Sequence, residues 1–137
     1  MPRIICFLLY LFFGLTISLY DIKHHKIRNH ALLKFSSISV LVFFSVNRSM
    51  NFLVIAIAVI VSLLMALIFK GMIGSGDLKL LIALAIWCSD THQWMQCLAI
   101  AWILGGLFSA LLLLAKSASK QRIAFAPFIF AAFVAAI

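Results

Sequence analysis

Residues 71–88 read GMIGSGDLKLLIALAIWC. The apolar part, Leu78–Cys88, is too short to cross a hydrocarbon core, which takes ~20 residues with a range of about 17–25. It reaches that length only if Gly71–Asp77 is counted in the span. Asp77 then lies several residues below the membrane surface, at ~1.5 Å per residue if helical. Non-helical backbone at that depth is tolerated only when buried in protein or lining a watery cavity. The stretch therefore predicts an acid held inside a helical membrane protein, beside a break in a span.

The rest of the chain agrees. Five further apolar runs are Ile4–Tyr20, Ala31–Val46, Phe52–Phe69, Trp94–Ala115 and Ile123–Ile137. The composition is 66% hydrophobic and 10% charged, against roughly 45–50% and about 25% in soluble domains. No water-facing surface can be built from it. The expected fold class is an all-α membrane protein, a polytopic bundle of about six transmembrane helices, forming one domain over residues 1–137. Arg3 followed by the first apolar run has the form of a signal peptide, but no A-x-A-like site follows. The run is read as a retained first helix.

Six spans leave three connections on one side: Asp21–His30, Lys70–Asp77 and Lys116–Arg122. Of the 11 lysines and arginines, all fall near these connections except Arg3 and Arg48. The positive-inside rule puts the basic connections in the cytoplasm and both termini outside. The net charge of +8 is thus accounted for by membrane topology, and no nucleic-acid partner is expected. Cys6, Cys88 and Cys97 have no C-x-x-C spacing. They read as small apolar filler, with a Cys88–Cys97 bridge possible by side but unsupported. Gly105, Gly106, Ser109 and Ala110 offer small surfaces for helix contact. Trp87 and Trp94 read as packing or as anchors in an outer aromatic belt.

Only three acids occur, Asp21, Asp77 and Asp90. Asp90 lies in an outer connection and needs no special role. Asp21 ends the first apolar run and Asp77 opens the fourth, so both sit at one depth on the cytoplasmic side. Ionisable groups there are costly and usually functional. Two neighbouring carboxylates repel and can hold one shared proton, presenting a base and an acid together. One can deprotonate a water while the other polarises a scissile carbonyl. The plainer readings are a helix N-cap for Asp77 and a solvated partner of Lys23 or Lys26 for Asp21. Gly74 and Gly76, just before Asp77, permit close backbone approach and make room for a substrate's backbone. His24, His25 and His30 cluster in the first connection, but read as a polar loop and not as a metal site.

At these residues the chain resembles the prepilin peptidases, the GxGD-type aspartic peptidases that cleave leader peptides of type IV pilins. Asp21-Ile-Lys-His-His-Lys-Ile27-Arg28-Asn29 looks like the family's first-aspartate segment. Gly74-Ser75-Gly76-Asp77-Leu78-Lys79-Leu80 is similar to its Gly-x-Gly-Asp-x-Lys-Leu. Arg122-Ile123-Ala124-Phe125-Ala126-Pro127-Phe128 resembles the Pro-(Tyr/Phe)-Ala-Pro stretch opening its last helix. Arg28 and Ala124 stand where the family carries proline. The resemblance implies an aspartic endopeptidase with Asp21 and Asp77 catalytic, acting on a prepilin or pseudopilin at the cytoplasmic face of the inner membrane. It further implies Gly74, Gly76, Lys79, Asn29 and Pro127 as substrate-binding or loop-supporting residues, and neither cofactor nor metal. No counterpart is seen of the cytoplasmic region with which larger relatives methylate the new N-terminus, so no methyltransferase activity is expected. Two other readings stay open: a presenilin-like or signal-peptide-peptidase-like protease cutting within the bilayer, and a non-catalytic carrier or assembly subunit using its acids as a proton relay.

Overall fold

A computed structural model describes residues 2–45, 50–70, 73–114 and 124–134. Among the described residues there are six helices and no strand: α1 Pro2–His24, α2 Asn29–Ser45, α3 Phe52–Ile68, α4 Ser75–Ala85, α5 Thr91–Leu114 and α6 Ala126–Phe133. Each expected run has its helix. Two are long and apolar enough to cross a membrane, Ile4–His24 and Thr91–Leu114. Helices α2 and α3 have 17 residues each, at the lower limit for a span. Helix α4, with 11 residues, is about 17 Å long, far short of the ~30 Å hydrocarbon core.

The outward faces are apolar. Ile4, Leu8, Phe12, Leu15 and Leu19 are exposed along α1, and Ile103, Leu107, Leu111 and Leu114 along α5. The interior meanwhile takes in Ser18, Asp21, Ser39 and Ser62. The rest of the interior is apolar, so it is the outward faces that a domain folded in water would not carry, since exposed apolar area is what folding removes.

Helix α4 is the most enclosed element. Leu78, Leu80, Leu81, Ala83, Leu84 and Ala85 are buried, and it packs against α2, α3 and α6. Its C-terminal end is locked by aromatic side chains. The Trp87 ring stacks on Phe35 at 6.4 Å and meets Phe43 and Tyr10 edge-on at 5.1 and 5.9 Å. Its Nε1–H donates to Ser39 Oγ at 3.2 Å, and Trp94 Nε1–H donates to Leu81 O at 3.2 Å. Both tryptophans are therefore interior packing and not an aromatic belt.

Helix α6 is seated between α5 and α1. Tyr10 Oη–H donates to the Phe130 carbonyl at 2.5 Å. A Cβ on Gly14 would lie 3.0 Å from the Phe130 ring, so the missing side chain lets α1 and α6 close together. On α5, a Cβ at Gly105 would overlap the Phe125 ring, whereas one at Gly106 would meet nothing within 4 Å. Ser109 Oγ–H returns to Gly105 O at 2.8 Å, and Ala110 is exposed. Of the four small residues expected at a helix contact, Gly105 and Ser109 share the packed face, as i and i+4 must. Gly106 and Ala110 turn away.

Candidate active site

The site is assembled from three helix ends: the last turn of α1, the first turn of α4 and the start of α6. Asp21 does not terminate α1. The helix runs one further turn to His24 and closes with the His25 N–H donating to Asp21 O at 2.7 Å. His25 then takes a positive φ of 49°, a conformation uncommon outside glycine and asparagine, and turns the chain toward α2. Arg28 lies over the Tyr20 ring, 5.4 Å from its centroid. This cation–π contact gives the turn a support.

Asp21 is buried, with 5% of its surface exposed. Lys23 and Lys26 are exposed, and no ion pair to Asp21 is found among the described residues. The solvated-pair reading of this aspartate therefore fails. Its Oδ2 accepts the backbone N–H of Ala126 at 3.1 Å, across 105 positions of sequence.

Ala126 is the first residue of α6, and the local sequence explains why that helix needs an outside acceptor. Its N-cap is Phe125, which makes no side-chain cap bond. Pro127 has no N–H to offer. The amides of Phe128 and Ile129 donate to the Phe125 carbonyl at 3.1 and 3.3 Å. One donor is left, that of Ala126, and Asp21 takes it. Two dipoles act on Asp21: the C-terminal end of α1 disfavours its charge and the N-terminal end of α6 favours it, each by about 0.3–1 kcal/mol when exposed.

Asp77 is the third residue of α4, and Gly74 holds the N-cap position. The N-cap reading of Asp77 is thus not what the fold uses. Gly76, next to Asp77, lies against Ile27 of the connection that follows Asp21, so the fold brings the start of α4 to the end of α1, the two segments that carry the acids. Asp90 does something different at the other end. Its Oδ1 accepts the Gln93 N–H at 2.7 Å, while Gln93 Oε1 accepts the Ser89 N–H at 2.8 Å. This is a reciprocal cap on the start of α5.

The two motif glycines are filled from within. Gly74 has φ −64°, so its backbone would accept any residue, but a Cβ there would lie 2.9 Å from Asp77 Oδ2. A Cβ on Gly76 would lie 2.9 Å from Ile27 Cβ. Gly74 therefore leaves space for the Asp77 carboxyl itself, and Gly76 lets α4 press against the α1–α2 connection. Lys79 Nζ donates to Asn29 Oδ1 at 3.1 Å, tying α4 to the first residue of α2. Two of the residues expected to bind substrate or support a loop are thus partners of each other.

Sequence reading misses Ala126 and Ile27. A backbone amide carries no residue-type signal, but Ala124-Phe125-Ala126-Pro127 opens a helix without Ser, Thr, Asp or Asn, the usual N-caps. That gap was the available clue. Met72 and the Lys116–Arg122 connection lie outside the described residues.

The family model for the type IV leader peptidase family matches residues 8–137, which takes in all three helix ends of the site. No curated protein and no solved structure is similar enough to match. With a family match over nearly its whole length, the chain belongs to the type IV leader peptidase family.

Proposed function

We propose that this chain is an aspartic endopeptidase of the inner membrane that removes the basic leader from a type IV prepilin or pseudopilin at the cytoplasmic face. The observation that carries the reading is the convergence of Asp21 and Asp77, two of three acids in the chain, at one end of the bundle. Burial of Asp21 in an otherwise apolar interior adds to it, since such a group is retained at a cost. The same end carries exposed Lys23, Lys26, Arg28 and Lys34, as a cytoplasmic face should. On this reading six spans cross the bilayer, with both termini outside. The short α4 is completed by the segment before it.

Hydrolysis then follows general acid–base chemistry. The water oxygen bonds to the scissile carbonyl carbon as one carboxylate takes a water proton. The other carboxyl gives its proton to the carbonyl oxygen, forming a gem-diol. On collapse the C–N bond breaks and the departing nitrogen receives a proton from the first carboxyl. The second takes one back from a diol hydroxyl. One water is consumed, an amine and an acid leave, and the pair again holds one proton.

The test is co-expression with a panel of prepilins, reading leader removal by gel shift and N-terminal sequencing. Wild type and Asp90→Asn should cleave, the latter because asparagine keeps the capping oxygen. Asp21→Asn and Asp77→Asn should lose cleavage by on the order of 10²-fold or more. Cleavage surviving in both would remove the aspartyl pair from the mechanism.

A further inference from the structure

The two carboxyls of the site are held unequally. Asp21 is almost fully buried and receives the Ala126 N–H at 3.1 Å. No hydrogen bond to the Asp77 carboxyl is found among the described residues. Asp77 has only the first-turn position in α4, where the dipole favours charge, and its carboxyl occupies the room that the missing Gly74 side chain leaves. An N–H can only donate, so it favours the neighbour that carries the negative charge. A second charge beside the first is then repelled.

Among the described residues, the other charges at this end of the bundle are exposed or turned elsewhere. Helix α6 brings one amide and apolar side chains, Phe128, Ile129 and Phe130. On α1 and α2, Lys23, His24, His30 and Lys34 are exposed. Lys79, two residues from Asp77, is turned to Asn29.

We propose that α6, through the Ala126 amide, fixes the division of labour in the pair. Asp21 holds the negative charge and takes the proton from water, and Asp77 holds the shared proton and hands it to the scissile carbonyl. Ala126 is thus a positioning group acting through Asp21. The assignment rests on the aspartyl-pair reading above.

The experiment is carbon-13 NMR of the full chain in lipid bilayers, labelled at aspartate side-chain carboxyls. With three acids in the chain, the spectrum holds three signals, and chemical shift separates protonated from ionised groups. At neutral pH wild type should show one protonated signal and two ionised ones. Asp77→Asn should abolish the protonated signal and leave Asp21 ionised. A protonated signal persisting in Asp77→Asn would overturn the assignment, as would its absence from wild type.

The second arm replaces Ala126 by lactic acid, which exchanges the amide for an ester and deletes the N–H alone. Protonated character should move onto Asp21, and kcat should fall by on the order of tenfold, inside the 10²–10⁴ that acid–base catalysis supplies, with KM little changed. A lower Tm with unmoved carboxyl signals would mark Ala126 as purely structural and defeat its positioning role. If the ester protein does not fold, the wild-type and Asp77→Asn spectra still decide where the charge lies. Failure of the aspartyl pair itself appears separately, as cleavage that survives Asp21→Asn and Asp77→Asn.

Discussion

The two ends of α4 are built on opposite principles. At its C-terminal end Trp87 is surrounded by Tyr10, Phe35 and Phe43, and two indole N–H groups are matched to acceptors. At its N-terminal end there are glycines, a lysine–asparagine tie and a carboxyl that fills the room a missing side chain leaves. Large rings bring most of the contact area and fix one arrangement. Absent side chains bring closeness instead, and give the Asp77 carboxyl its place. The difference teaches where this fold stores its stability and where it keeps its chemistry.

The contrast breaks most visibly at the rings. Trp87→Ala should lower stability by about 3–5 kcal/mol, read as loss of folded protein on thermal unfolding in detergent. A mild loss there would mean that the aromatic end is not the anchor. The glycine end should respond the other way. Gly74→Ala places a methyl where Asp77 Oδ2 lies, so leader cleavage should fall about tenfold or more, equivalent to ~1.4 kcal/mol, while thermal stability stays near wild type.

A finer probe is the pair Gly76→Ala and Ile27→Ala. Each alone should impair cleavage, Gly76→Ala by overlap and Ile27→Ala by lost packing. Together they should recover part of the loss, with a coupling of about 0.5–3 kcal/mol in a double-mutant cycle. Additive losses would show that the α4–loop approach is not what Gly76 provides. The smallest effect belongs to Ser62 on α3, whose buried hydroxyl has no hydrogen-bond partner among the described residues. Ser62→Ala should leave stability unchanged or raise it by about 1 kcal/mol, because no bond is lost.

Much of this was legible in the chain and some was not, for definite reasons. The helices follow from long apolar runs, and the acids stand out because so few exist. The end of α1 was misplaced at Tyr20 because Asp21 looks like a stop signal, though the helix passes through it to His24. For Trp87 and Trp94 the sequence leaves packing and an outer belt both open, since it does not say which side of a helix faces inward; burial decides for packing. Gly105 and Gly106 are adjacent and chemically identical, and only packing against Phe125 separates them. For the Asp21–Ala126 bond the residue types show only that α6 lacks an N-cap of its own; the acceptor that replaces it cannot be read from them, because the donor is main chain.

Pro127 bears on that bond in one more way. Most helix beginnings are generous, presenting several amides to whatever anion arrives. Here the ring nitrogen deletes one and the Phe125 carbonyl absorbs two others, so α6 rations itself to a single donor. A carboxylate met by a full crown of amides would have both oxygens occupied and its basicity quenched. Among the described residues Asp21 surrenders only Oδ2, and on the proposed mechanism Oδ1 is the oxygen left for a water.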